Sequence, residues 1–393
     1  MIAITQAAVY AETGTFIPGY VLIQDGKVKE TGMMEALTIP EGCQEIRLTE
    51  NIELIPGMID MHIHGAGGAD VMDAQEEALK TMARQLVQEG TTSFLPTTMT
   101  SDVSSIEKAL SNLDVFMSRP ASGAEVLGIH VEGPFLSPKR AGAQLPGHFL
   151  KPDIELFQEW QEKAGNGIKM MTMAPELEGG LKLAQHLAET GVIPSIGHSD
   201  ALFHEGEKAA EHGVIQATHL FNGMRGLHHR EAGTAGFALL DPRIKCEIIA
   251  DGVHVAPEMI RLAYQIKGAD GMILITDSMR AKGLENGVYD LGGQDVHVKD
   301  GRAELSNGSL AGSVLKMNEA VRNMKRFTGC STKDIIQMAS ANPAKQLNVY
   351  DRKGSIRAGK DADLTALSKD GEVVLTISAG EVAYQKEDSN ETD

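Results

Sequence analysis

The chain has 393 residues, 42% apolar and 23% charged, enough for one large domain and a small one, with ordinary globular composition. Its 36 basic and 54 acidic residues give a formal charge of −18, which excludes non-specific nucleic-acid binding and obliges any anionic ligand to find a local positive cluster. No stretch reaches the ~20 apolar residues of a membrane span, the N-terminus lacks a basic region followed by an apolar core, and three scattered cysteines, Cys43, Cys246 and Cys330, fit no disulfide framework and point to a cytoplasmic protein.

In chain order, residues 1–55 alternate apolar and polar side chains at Ala8-Val-Tyr, Gly19-Tyr-Val-Leu-Ile-Gln and Glu45-Ile-Arg-Leu, with an Asp25-Gly26 turn between strands. Residues 349–393 repeat the pattern at Ala362-Asp-Leu-Thr-Ala-Leu, Val373-Val-Leu-Thr-Ile and Glu381-Val-Ala-Tyr, with a turn at Asp370-Gly371. Two strand-rich ends predict one small β-sandwich domain built from both termini. The polar tail, 386–393, is expected to be disordered.

Residues 56–348 change period. From Glu76 to Gly90, Leu79, Met82, Ala83, Leu86 and Val87 form one helical stripe that Gly90 can end, and the apolar strand Thr92-Ser-Phe-Leu follows. The same helix–Gly–strand junction recurs at Gly191 and Gly213, and further short strands read at 126–131, 168–173, 245–250 and 272–276. With 57–63 these make eight. Buried strands alternating with amphipathic helices imply parallel βαβ units. A (β/α)8 TIM-like barrel over 56–348 is preferred to an open sheet, because no Gly-x-Gly-x-x-Gly follows the first strand and polar residues close almost every strand.

Those closing residues carry the chemistry. His62 and His64 are two apart on a strand, so both imidazoles face one way. Glu132 ends the third strand, His198 the fifth, His219 the sixth and Asp277 the eighth. Strand carboxyl ends converge on the active face of such a barrel. Singly, each residue reads better as structural: a hydrogen-bonded histidine, or an N-cap at Asp277 before Ser278. Together, four histidines and two carboxylates suit one or two divalent transition ions, two preferred, with zinc, iron, manganese and cobalt all compatible. His130 shares the parity of Glu132 and reads equally as core. His186 and His212 read as surface residues, and His204 falls in the loop after strand five. His228-His229-Arg230 and His254 follow strands six and seven and could supply the local positive field an anion needs; for Arg230 the bland alternative is a salt bridge with Glu231.

These segments resemble the amidohydrolase superfamily and, within it, the N-acetylglucosamine-6-phosphate deacetylase family. The shared segments are Pro56-Gly-Met-Ile-Asp-Met-His-Ile-His-Gly, His130-Val-Glu-Gly-Pro-Phe, Ile196-Gly-His-Ser-Asp, Thr218-His-Leu-Phe-Asn-Gly-Met, Ile249-Ala-Asp-Gly-Val-His, Thr276-Asp-Ser-Met and Leu310-Ala-Gly-Ser. The closing Asn342-Pro-Ala-Lys and the run from Gly354 look like the superfamily's return to its β-sandwich. The resemblance implies metal ligands at Glu132, His198 and His219 and an acid/base at Asp277. Retention of His62 and His64 implies the two-metal form, bridged by Glu132. One-metal members carry a His at the position of Gln144. The resemblance further implies substrate contacts at Ala143, Gln144, Asn222, Gly223, His254 and the loop Leu310, Ala311, Gly312. It also implies a homodimer in which Arg230 reaches the neighbouring site to bind phosphate.

The implied reaction is hydrolysis of the acetamide of N-acetylglucosamine 6-phosphate, yielding glucosamine 6-phosphate and acetate, with metal-activated water and Asp277 as general acid/base. One alternative is a deacetylase for another hexosamine epimer. A cyclic-amide hydrolase would want a bridging lysine on strand four, where Lys169 sits at the wrong end. A non-catalytic sugar-phosphate sensor would have lost ligands that this chain keeps.

Overall fold

The computed structural model describes residues 1–119 and 122–387. Of the tail expected to be disordered, 388–393 lie outside the described residues.

Eight short parallel strands form the barrel: β1 (Met58–Ile63), β2 (Thr91–Thr98), β3 (Ile129–Glu132), β4 (Ile168–Met173), β5 (Ile193–Ile196), β6 (Gln216–Ala217), β7 (Lys245–Ile249) and β8 (Met272–Ile275). Each pairs with the next in parallel, with register shifts between β1 and β2 and between β3 and β4. Closure comes just past β8, where the Asp277 N–H donates to the His62 carbonyl at 2.8 Å and the His64 N–H to the Ser278 carbonyl at 2.9 Å. Deeper in the seam, the Asp60 carboxylate accepts from the Thr276 hydroxyl at 2.5 Å and from its N–H at 3.2 Å.

Helices cover the outside: α1 (Glu76–Val87), α2 (Val103–Met117), α3 (Ile154–Lys163), α4 (Gly180–Glu189), α5 (Phe203–Glu211), α6 (Gly233–Leu240), α7 (Pro257–Lys267) and α8 (Met317–Thr328). The stripe predicted on α1 is the face it buries, with Leu79, Met82, Ala83, Leu86 and Val87 all in the core. Truncating one such leucine to alanine costs ~2–5 kcal/mol. Gly90, past the helix end, has φ +82°, which suits glycine alone without strain.

The two termini meet as expected. Strands Ile2–Ala11, Gly14–Gln24, Lys27–Met33, Gln44–Arg47 and Glu53–Pro56 join Leu364–Leu367, Val373–Ser378 and Glu381–Gln385 in one eight-stranded sheet around its own core of Ile4, Val21, Leu54 and Leu375. The sheet docks at the amino ends of β1 and β2: Asp363 takes the Gly57 N–H at 2.8 Å and the Thr365 hydroxyl donates to the Gly90 carbonyl at 2.6 Å. It therefore buttresses the face opposite the strand ends that carry the histidines.

Three details depart from the sequence reading. The strand expected at 126–131 is split: Glu125–Val126 pairs with β2, and β3 starts again only at Ile129 after Gly128. His204 lies in the first turn of α5 rather than in a loop. An unanticipated meander, Gly287–Leu291, Gln294–Lys299 and Arg302–Leu305, follows β8. Its turns at Gly292-Gly293 and Asp300-Gly301 have φ positive at both central residues, the conformation that matches strand twist in a two-residue hairpin.

Candidate functional site

At the carboxyl ends of the strands lies a cavity of about 320 Å³. His64, Glu132, His198, His219 and Asp277 line it, and His62 lies buried directly beneath. A larger groove of about 770 Å³ beside α4 holds lysines and glutamates but no convergent histidines.

β1 delivers its pair as the period of two requires. The Nε2 atoms of His62 and His64 are 3.3 Å apart and lie 3.6 and 3.3 Å from the oxygens of Glu132. Glu132, the last residue of β3, turns Oε1 to His219 Nε2 at 3.0 Å and His198 Nε2 at 3.3 Å. Asp277 Oδ1 is 3.4 Å from His62 Nε2 and 3.3 Å from His64 Nε2. His198, His219 and Asp277 do not end their strands but stand two residues beyond, with φ of +45°, +32° and +48°. Non-glycine residues held there store backbone strain, which the surrounding hydrogen bonds must offset. Two overlapping groups of three ligand atoms result, His62–His64–Glu132 and Glu132–His198–His219, with Glu132 common to both.

Every imidazole is oriented from behind. Nδ1 faces the carbonyls of Thr97 (3.1 Å, His64), Arg140 (2.8 Å, His198) and Asn222 (3.1 Å, His219), and the Glu247 carboxylate (3.1 Å, His62). With protons on Nδ1, each Nε2 lone pair points inward at carboxylate oxygens. Acceptor then faces acceptor, an arrangement that calls for positive charge between them. The residue types and their orientation fit divalent ions. The electrostatics agree. Burial opposes charge on His64, yet hydrogen bonding to Asp277 and Glu132 holds it up at about 9. Burial likewise opposes charge on Asp277, but His62 and His64 pull it down to about 2.

Other predicted residues fall into three groups. Ala143, Gln144, Asn222, Gly223, His254, Leu310 and Gly312 line the cavity. Ala311 does not; it is buried behind the wall against the meander's core. Arg230 is exposed and is not among the lining residues of this chain. No Arg230–Glu231 ion pair forms among the described residues, because the Glu231 carboxylate accepts the N–H groups of Phe203 and Gly233 instead. Gln144 donates to Glu132 Oε2 at 2.7 Å and accepts the Thr100 N–H at 3.0 Å, so it braces the shared carboxylate. His254 is held by Asp251 at 2.6 Å. His130 is a core residue, hydrogen-bonded to Thr97 at 3.1 Å and Thr172 at 2.7 Å. His186 and His212 are partly exposed on the helical shell.

Sequence reasoning missed Glu247 and Asp200. A glutamate in the apolar run Lys245-Cys-Glu-Ile-Ile, with the parity of a barrel-interior position, was the available signal for the first. Asp200 ties three loops together: it accepts from Arg140 Nε at 2.8 Å, pairs with Arg225, and gives its own carbonyl to Arg225 Nε at 2.8 Å. The Met99 and Leu291 walls were missed too, the latter because it belongs to the meander.

A closed parallel barrel whose strand ends gather four histidines around a shared carboxylate defines the amidohydrolases. The chain belongs to that family, and residues 54–383 match the Amidohydrolase family. It is similar to the N-acetylglucosamine-6-phosphate deacetylase of Bacillus subtilis (strain 168), 48% identical over 392 residues, 99% of this chain and 98% of the relative. It is also similar to the N-acetylgalactosamine-6-phosphate deacetylase of Escherichia coli O157:H7, 38% identical over 314 residues, covering 80% and 83%. Among solved structures, it resembles a mutant N-acetyl-D-glucosamine-6-phosphate deacetylase from Mycobacterium smegmatis in complex with N-acetyl-D-glucosamine-6-phosphate. The TM-score is 0.90 and the identity 30%, over 97% of this chain and 99% of the other.

Proposed function

We propose that this enzyme hydrolyses the acetamide of N-acetylglucosamine 6-phosphate, releasing acetate and glucosamine 6-phosphate. The observation that carries the reading is Glu132, a buried carboxylate shared between two histidine pairs at the floor of a cavity that can hold a sugar. His62, His64, Glu132, His198, His219 and Asp277 would hold two divalent ions, of zinc, iron, manganese or cobalt. Such ions, when bound, supply Lewis acidity and lower the pKa of a bound water from near 16 toward ~7. Asp277 is the base. Its carboxylate stands at the cavity edge, where it can take a proton from the attacking water. It then returns that proton to the sugar nitrogen as the C–N bond breaks, because an amide nitrogen leaves poorly unless protonated. Gln144, which donates to Glu132, keeps the shared carboxylate in place through the cycle.

The phosphate end rests on His254 and on Arg230. His254 faces the cavity of its own chain, whereas Arg230 projects from an exposed loop, which supports its reaching a neighbouring site in a homodimer. Residues 1–55 and 349–393 are taken as the small domain and 56–348 as the barrel, since Glu53–Pro56 pairs in the terminal sheet and Met58–Ile63 in the barrel. Three unbonded cysteines suit a reducing cytoplasm. The decisive experiment measures acetate release from N-acetylglucosamine 6-phosphate beside its galacto epimer and the unphosphorylated sugar, with metals counted per chain. Preference for the galacto epimer would transfer the assignment to that sugar, and absence of acetate from all three would end it.

A further inference from the structure

Three of the four imidazoles give Nδ1 to neutral backbone carbonyls; His62 alone meets a carboxylate, Glu247. Glu247 is fully buried in the middle of β7. Its other partners are neutral donors, the His219 N–H at 3.2 Å and Gln216 Nε2 at 2.6 Å, and Gln216 is itself held by Gln346 at 2.9 Å. A carboxylate buried among neutral donors is costly, and a cation on the far side of the imidazole it touches offsets that cost. The same contact pushes electron density toward Nε2 and makes His62 a stronger ligand than its three counterparts. It also adds a third negative charge, behind Glu132 and Asp277, where two dications would otherwise repel each other.

We infer that Glu247 is the positioning residue that lets the His62/His64 end of the site hold an ion of its own beside the one on His198 and His219. The inference rests on the two-ion reading above. Its test uses chelator-stripped full-length protein, dialysed against buffered zinc(II), with bound zinc counted per chain. Glu247→Gln keeps the size, but the amide must turn its NH2 toward either His62 Nδ1 or Gln216 Nε2. The second zinc is expected to bind ~10–100-fold more weakly while the first is retained. His62→Asn, which removes that end outright, gives the one-zinc reference. Gln216→Ala, which frees one flank of Glu247 but leaves its charge, is expected to give a smaller loss at the same end. Two zincs bound to Glu247→Gln with wild-type affinity would overturn the inference, as would loss of both ions together. If Glu247→Gln does not fold, unchanged second-zinc binding by Gln216→Ala overturns it instead. Wild type that binds fewer than two zincs sinks the two-ion reading itself, a distinguishable failure.

Discussion

Asp277 faces the site with its carboxylate and joins the barrel seam with its backbone, and the two separate on substitution. Its Oδ1 lies within 3.4 Å of both β1 imidazoles, while its backbone N–H closes the barrel seam. Asp277→Asn preserves the size and the seam but removes the proposed base. Turnover is expected to fall by ~10²–10⁴ or more with most of the metal retained, measured as acetate release beside metal content. A variant that turns over at the wild-type rate would show that the proton goes elsewhere. Under the proposed function Arg230 belongs to binding rather than to chemistry. Arg230→Ala is expected to raise KM for the phosphorylated sugar with kcat little changed, and to leave the unphosphorylated sugar unaffected. Equal damage to both substrates would rule out a phosphate contact. The six candidate ligands could be picked out of the sequence because each stands at or just beyond an apolar strand run, and the His62/His64 parity follows directly from the period of two. The left-handed bends at His198, His219 and Asp277 were not, since nothing in a single residue type announces a positive φ outside glycine.

Loops after β3 and β6 carry the carbonyls that orient His198 and His219, and Asp200, in the loop after β5, holds all three loops in one frame. Glu176 fixes the frame from below, accepting the Ser199 hydroxyl at 2.7 Å and the Asp200 N–H at 2.6 Å. Asp200→Asn keeps the bulk but loses the charge that grips Arg140 and Arg225. We expect metal affinity to drop about tenfold, read by zinc competition, with the barrel still folded by circular dichroism. Undiminished affinity would mean that the loops hold their own shape. The clamp joins partners 25 and 60 residues apart, and that separation hid it from any reading by local spacing. Helices and barrel strands, whose period repeats within a dozen residues, were legible where the clamp was not. The meander was overlooked for a different reason: its hairpin turns are plain in the sequence, but eight strands already completed the expected barrel.

At the scale of the molecule, an ionic cluster fastens the terminal sheet to the barrel. Arg352 bridges Glu125 on the barrel and Asp361 on the return segment, each at 2.7 Å, and Lys353 joins Glu125 and Asp363. Burial would raise the Asp361 carboxyl, but Lys27 and Arg352 hold it below its ordinary 3.8. A depressed folded-state pKa means the stabilisation is complete above pH 3.8 and is lost as pH falls through the lower, folded value. Urea midpoints should therefore decline on the acid side, and Asp361→Asn, less stable at pH 7, should decline less steeply. Parallel curves for the two proteins would exclude Asp361 as a source of the slope.

The seam that closes the barrel has a consequence for how activity arises during folding. His62 and Asp277 belong to opposite ends of the barrel's sequence, and the bond joining their backbones is one of those that complete the ring. A nascent chain released before β8 emerges can own four histidines and the shared glutamate, yet no Asp277 and no final wall. Competence should switch on in one step with ring closure, so deacetylation itself would report, without any added probe, the moment at which the last strand finds the first.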